Sequence, residues 1–442
     1  MEASVSPTPA AIKLVALSLM DYRNTVNTTP RQASEKALSR RERYGMSRGV
    51  LAISFARMAD AMGNGILIII IPLYVADLSP GIFDFPTPVL VGILISLYGL
   101  VASIGQPIMG AVSDRFGRRK ALIQIGLALM CGGTLLFMLA GEFYHLLLLR
   151  LMQGVGVAAT IPAAMAIMAA ITRRQTRGAS MGVYSTLRLI GFSTGPVLGG
   201  FLKVEFGFDA AFLAGAGFVL IAMVMVQIWV REVKIDHGGN EPPRFRIIER
   251  ALLNPGILSA AVATFLMATT FSMVTTLENE FNARLGMDAF TFGIAFSMVM
   301  VSRLFLQVPV GRVADTIGRK PLVLVGLFLL APTTAILGWV ATPGQLIFFR
   351  FLQGVAGAGI AAPAFAVAGD LSSLGGEGRQ MSLITTGFGF GIAIGPLLAG
   401  LLSVIFFELP FVVAGLMCLA GMWVVYRFMP ETLDGTRVWF RH

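Results

Sequence analysis

From residue 49 onward the chain is a succession of apolar runs of about 20 residues, separated mostly by short polar turns. This length constrains the fold more than any other feature. A helix rising about 1.5 Å per residue needs about 20 apolar residues to cross the hydrocarbon core of a bilayer. The runs fall near 50–75, 88–112, 120–140, 145–171, 179–202, 210–230, 255–277, 289–312, 321–340, 345–370, 381–404 and 409–428. They predict an all-α integral membrane protein with twelve transmembrane helices. Composition agrees. Only 13% of residues are charged, against roughly a quarter in a soluble domain. The 50 glycines suit close packing of helices in lipid.

The chain repeats itself. Gly110-Ala-Val-Ser-Asp114-Arg-Phe-Gly117-Arg118-Arg119-Lys120 returns as Gly311-Arg-Val-Ala-Asp315-Thr-Ile-Gly318-Arg319-Lys320. Gln106 matches Gln307, Arg150-x-x-Gln153-Gly154 matches Arg350-x-x-Gln353-Gly354, and Pro162 matches Pro363. Gly191, Gly195, Pro196 and Gly200 match Gly391, Gly395, Pro396 and Gly400. Every pair is offset by 200 or 201 residues, so two parallel six-helix halves are expected. The expected domains are a tail over 1–47, a bundle over 48–230, a linker over 231–254, a second bundle over 255–428 and a tail over 429–442. In the first tail the apolar piece 10–20 is too short to span and reads as a surface helix or disorder. Met46 stands directly before the first long run, which makes part of that tail a candidate start-site artefact.

Charge placement orients the helices. With the N-terminus inside, 27 of the 34 Lys and Arg residues fall in cytoplasmic tails and loops. Two, Lys203 and Arg284, fall outside, and five lie within helices: Arg57, Arg150, Arg188, Arg303 and Arg350. This positive-inside asymmetry predicts cytoplasmic termini, and the compactness of the chain with its short central loop points to a cytoplasmic (inner or plasma) membrane. It also accounts for the net charge of +10 without a nucleic-acid partner. The two cysteines, Cys131 and Cys418, sit far apart in apolar runs, and the three histidines are scattered, so no metal site is expected. There is no Gly-Lys dipeptide for a Walker A loop and no His-Glu-x-x-His. An enzyme is not expected.

These motifs resemble the major facilitator superfamily. Residues 110–120 are similar to its signature between helices two and three, and Arg150-x-x-Gln153-Gly154 to its helix-four motif. Gly191-x-x-x-Gly195-Pro196-x-x-Gly199-Gly200 resembles the helix-five motif of drug–proton antiporters. Asp60-Ala-Met-Gly63-Asn64-Gly65, followed by Pro72, resembles helix one of tetracycline-type antiporters. The resemblance implies a secondary active transporter, driven by a proton gradient with no cofactor. It would move a small, largely hydrophobic compound by alternating access, as a monomer in the bilayer. It further implies that Asp114 docks near Met381 in the outward-facing state and Asp315 near Met181, and it gives Arg150 a place in proton coupling.

The residues supply physical reasons of their own. A charge at bilayer depth costs at least about 2.5–3.5 kcal/mol on insertion scales, so each one marks a candidate site. Arg57, Asp60 and Asn64 share a helical face, and Asp60 is the candidate proton carrier, against the plainer reading of a local Arg57–Asp60 structural pair. Arg150 and Gln153 also share a face, as either coupling residues or interhelical hydrogen-bond donors. Arg188 and Arg303 break the repeat, facing Phe388 and Ala102 in register, so the scaffold does not demand them. With Gln307 they predict a polar face, and they support a carrier for an organic anion as the alternative. Gly110, Asp114, Gly117 and Arg118, with Gly311, Asp315, Gly318 and Arg319, are candidate conformational latches, against a plain positive-inside turn. Pro196 bends helix five while Gly191, Gly195, Gly199 and Gly200 smooth it for close contact. A scaffold or sensor without transport is the remaining alternative.

Overall fold

The computed structural model describes residues 46–78, 81, 83–172, 176–232, 254–371 and 377–433. The piece 10–20, most of the central linker and the end of the C-terminal tail lie outside the described residues. Eleven helices are long and apolar enough to cross a membrane. In chain order they are α1 (Arg48–Asp77), α2 (Thr87–Phe116), α3 (Arg119–Leu136), α4 (Phe143–Ile171), α5 (Arg177–Trp229), α6 (Pro255–Thr276), α8 (Ala289–Ile317), α9 (Arg319–Ala335), α10 (Pro343–Asp370), α11 (Glu377–Ser403) and α12 (Leu409–Phe428). A short α7 (Glu278–Leu285) follows α6. Helix α5 carries a continuous apolar stretch of 51 residues, twice what a bilayer needs. It breaks at Gly207, whose φ of 84° and ψ of −175° are not helical. Its two legs make twelve membrane crossings, and no strand occurs among the described residues.

Local chemistry sets the helix starts. Ser47 accepts a hydrogen bond from the Val50 amide at 3.4 Å, Asn254 from Gly256 at 2.9 Å and Asp288 from Thr291 at 2.8 Å, each satisfying an orphan amide of a first turn. Helix α2 ends on Gly117 with φ of 63°, a left-handed conformation that suits glycine. Large apolar side chains such as Ile104, Phe305 and Trp423 remain exposed.

The two halves repeat each other in contacts as well as in sequence. Helix α1 packs on the first leg of α5, and α6 on α11 in the same register. Gly191, Gly195 and Gly199 lie against the α1 backbone at Met58, Met62 and Ile66. Gly391 and Gly395 lie against the α6 backbone at Phe265 and Thr269. The halves meet through α2 with α11 and α5 with α8. A Cβ added at Gly92 would lie 2.6 Å from the Pro396 carbonyl oxygen, and one at Gly293 would lie 2.5 Å from that of Pro196. Gly400 meets the Pro88 backbone and Gly200 that of Ala289. These four contacts are two symmetry-related pairs, and they close the bundle at the end where α2 begins. Asn279 of α7 donates to the Pro72 carbonyl of α1 at 2.9 Å at the same end. At the opposite end, a Cβ on Gly117 or Gly311 would meet nothing within 4 Å.

Candidate functional site

Helix α1 brings Arg57, Asp60 and Asn64 to one face about 15–25 Å from its start, which is mid-depth in a bilayer. Arg57 forms an ion pair with Asp60 through Nη1 and Oδ2. Asn64 Nδ2 donates to both the Asp60 carboxylate and the Asp60 carbonyl at 2.9 Å. The Tyr98 hydroxyl of α2 donates to Asn64 Oδ1 at 3.4 Å. Asp60 is 1% exposed and Arg57 8%. Arg188, Tyr98 and Tyr184 lie close enough for their fields to act on this pair. A buried pair of this kind stabilises little as a whole, but removing one partner leaves an uncompensated charge, at a cost of about 3–5 kcal/mol.

The two helix-four motifs build twin networks. Arg150 donates to Gln153 Oε1 at 3.1 Å, and Gln153 donates to Thr134 Oγ1 at 3.0 Å. Arg350 donates to Gln353 Oε1 at 2.8 Å, and Gln353 to Thr334 Oγ1 at 3.0 Å. The guanidinium of Arg150 stands 5.0 Å from the Tyr98 ring centroid and that of Arg350 5.1 Å from Phe296, so aromatic faces take up part of each charge. Arg350 is fully buried, and its Nε and Nη2 have no partner.

Arg188 and Arg303 sit on the paths of α5 and α8, close enough to act on each other electrostatically. Among the described residues, neither has a carboxylate within ion-pair distance, and each Nε is buried without a hydrogen bond. Arg188 lies over the Phe192 ring at 5.3 Å. Arg303 lines a cavity with Thr270, Phe271, Arg350, Gln353 and Phe388. Gln307 Oε1 is buried without a partner one turn further along α8. The threonines of α6 turn to their own backbone: Thr269 donates to the Phe265 carbonyl at 2.9 Å and Thr270 to the Met267 carbonyl at 3.0 Å.

A family model described as Major Facilitator Superfamily matches residues 53–284 and again 260–437. The chain belongs to the Major Facilitator Superfamily. This membership makes it an integral membrane transporter rather than an enzyme. It is 28% identical over 272 residues to the multidrug resistance protein MdtG of Salmonella typhimurium. That alignment covers 60% of this chain and 66% of the relative, just under two thirds of the relative's length. A bacterial homolog to human lysosomal transporter Spinster, in inward-facing and unoccupied conformation, superposes with a TM-score of 0.72 at 14% identity, covering 90% of this chain and 100% of that one. A POT family transporter in complex with 5-aminolevulinic acid gives 0.72 at 12%, covering 87% and 96%. These two likenesses are of fold.

The superfamily signature turns sit at the end opposite the closed contacts. The side chains of Asp114 and Met381 lie outside the described residues, while Gly110 and Gly117 belong to the end of α2 and Arg118 is exposed where α3 begins. In the second copy Arg319 pairs with Asp315 at 3.3 Å and with Asp370 at 2.8 Å. Asp315 is exposed in this conformation rather than docked. Sequence reasoning missed the acid that completes each turn. Glu431 accepts from the Arg319 and Lys320 amides at 3.0 and 3.2 Å, and Glu232 from the Lys120 amide at 3.2 Å. Each carboxylate caps the positive end of a helix. The near-repeat spacing of Glu232 and Glu431 carried that signal. So did Thr134 and Thr334, which follow the 200-residue offset of their glutamine partners. Residues 178–182 spell Gly-x-Ser-x-Gly, a hydrolase pattern, but they lie within α5 and Ser180 is 2% exposed, so there is no nucleophile elbow.

Proposed function

We propose that this transporter is a proton-coupled antiporter that exports a small, largely hydrophobic compound by alternating access. The observation that carries the reading is the Arg57–Asp60–Asn64 network at mid-depth on α1, with Asp60 its only carboxylate. The 28% identity to a protein named for multidrug resistance supports the export direction. With both termini cytoplasmic, the closed end faces outward and the cavity opens inward. Asp60 releases its proton to the cytoplasm and is held as a carboxylate by Arg57 and Asn64 while the compound binds. After the halves rock, Asp60 takes a proton from outside, and the neutral acid is carried back. Arg57 and Arg150 tune that exchange. The turns around Asp114 and Asp315 latch the two conformations, and the glycine face of α5 with Pro196 guides the movement. Each 100 mV of membrane potential supplies about 2.3 kcal/mol per charge moved, about 50-fold in accumulation. The protein acts as a monomer in the lipid bilayer and needs no cofactor.

A second reading, transport of an organic anion, is supported by Arg188 and Arg303, which are half-buried, hold a buried Nε without a hydrogen bond and, among the described residues, have no carboxylate within ion-pair distance. Both readings are tested by a pH gradient imposed across vesicles holding the purified chain, with cationic, neutral and anionic compounds and with Arg188→Ala and Arg303→Ala alongside. The antiport reading expects substrate-dependent proton flux. Folded protein with no such flux would overturn it. Full transport of every anion by both arginine variants would remove the second reading.

A further inference from the structure

Helix α7 holds a buried acid that the transport cycle described above does not use. Glu278 follows the last turn of α6 by one residue, is 0% exposed, and neither of its carboxylate oxygens has a hydrogen-bond partner. Its neighbour Asn279 makes the hydrogen bond to the Pro72 carbonyl that joins the two halves at the closed end. An ionised carboxylate with no donor, buried next to that contact between the halves, would be among the costliest groups in the molecule. A neutral acid at that place costs far less. Opening the closed end would bring water to it and restore the ionised form.

We infer that Glu278 is a second proton-binding site, which holds a proton while this end of the transporter is closed and releases it when the end opens. The charged groups that reach it are Lys203 on α5 and Glu280 on its own helix; α1, α6 and α8 contribute none among the described residues. Burial pushes the Glu278 carboxyl well above the usual range, outweighing the pull of Lys203 in the opposite direction, while Glu280 adds to the rise. The sign follows from linkage. The closed state binds the extra proton, so it is favoured at low pH and loses ground as pH rises above the ordinary glutamate value. Between that value and the raised one, the ratio of open to closed molecules increases up to tenfold per pH unit. The proton enters and leaves on the same side, so it gates the cycle without being carried across. In an antiporter it would tie closure of the outer end to proton supply from outside.

The inference rests on the alternating-access reading but not on Asp60 as the carrier. Two measurements on the full chain in lipid nanodiscs test it. Infrared difference spectra between wild type and Glu278→Gln at pH 7 are expected to contain a protonated-carboxyl C=O stretch that the variant lacks. Absence of that band overturns the site. For the gate, spin labels go on Gly141→Cys and Gly344→Cys, one in each half at the closed end, where an added side chain meets nothing within 4 Å. Cys131 and Cys418 are replaced by alanine. Raising the pH from 5 to 9 is expected to populate longer label distances in wild type and in Glu278→Asp, and not in Glu278→Gln. An unchanged pH response in Glu278→Gln overturns the inference, as does a response lost only in Asp60→Asn. Labels that never separate under any condition, with the infrared band present, refute the alternating-access reading and the gate together while leaving the proton site standing.

Discussion

Gly293 and Gly92 are two of the four glycines at the closed end that leave no room for a methyl group. A Cβ on Gly293 would lie 2.5 Å from the Pro196 carbonyl oxygen and 3.0 Å from its carbon, and one on Gly92 would lie 2.6 Å from the Pro396 oxygen. Carbon–oxygen contacts settle near 3.3 Å or beyond, so Gly293→Ala requires α5 and α8 to part by about 0.8 Å. All the atoms in the way belong to backbone, and no side-chain rotation relieves them. Overpacking of this kind costs about 1–3 kcal/mol. Because the clash exists only while the halves touch, the cost falls on the closed state alone and lowers its population about 5- to 150-fold relative to the open one. Gly92→Ala acts on the symmetry-related contact, and the two effects should add. The assay is the label distance between positions 141 and 344 in nanodiscs at fixed pH. Gly182→Ala is the control, since that glycine also lies on α5 but has nothing within 4 Å. Distance distributions for Gly293→Ala and Gly92→Ala that match the control would refute the reasoning, because these glycines would then not set the closed conformation.

Two other predictions concern stability. Thr334→Val removes the acceptor for Gln353 Nε2 inside a buried network; it should lower thermal stability by about 1–3 kcal/mol, as should Thr134→Val in the twin, both read by calorimetry in detergent. Asp288→Ala removes the cap of α8 at a cost of about 0.5–2 kcal/mol. The Thr291 amide bond holds the Asp288 carboxyl below its usual range, so the difference between wild type and variant should be full above about pH 4 and shrink as pH falls through the lowered value.

The architecture was legible because each span had to be apolar for its whole length, and lipid enforces that rule residue by residue. The repeat offset carried further. It pairs Gly92 with Gly293 and Gly200 with Gly400, which are the contacts that join the halves. Helix α7 is not legible in the sequence because a short polar helix between two long apolar ones leaves no periodic trace. The Arg57–Asp60–Asn64 face followed from helical spacing alone, whereas Tyr98 reaches Asn64 from another helix. Partners of that kind depend on the angle between packed helices, which no single-chain periodicity encodes. The same is true of the pairing state of Arg188 and Arg303: their break with the repeat singled them out, but that neither meets a carboxylate among the described residues is a property of the assembled bundle.

The role proposed for Asp60 as the proton carrier is tested most directly by comparing wild type with Asp60→Asn in vesicles under an imposed pH gradient, with substrate binding measured on the same preparations. The variant is expected to bind substrate and exchange it downhill while losing gradient-driven accumulation and substrate-linked proton flux. An Asp60→Asn chain that still concentrates substrate against its gradient would contradict that role.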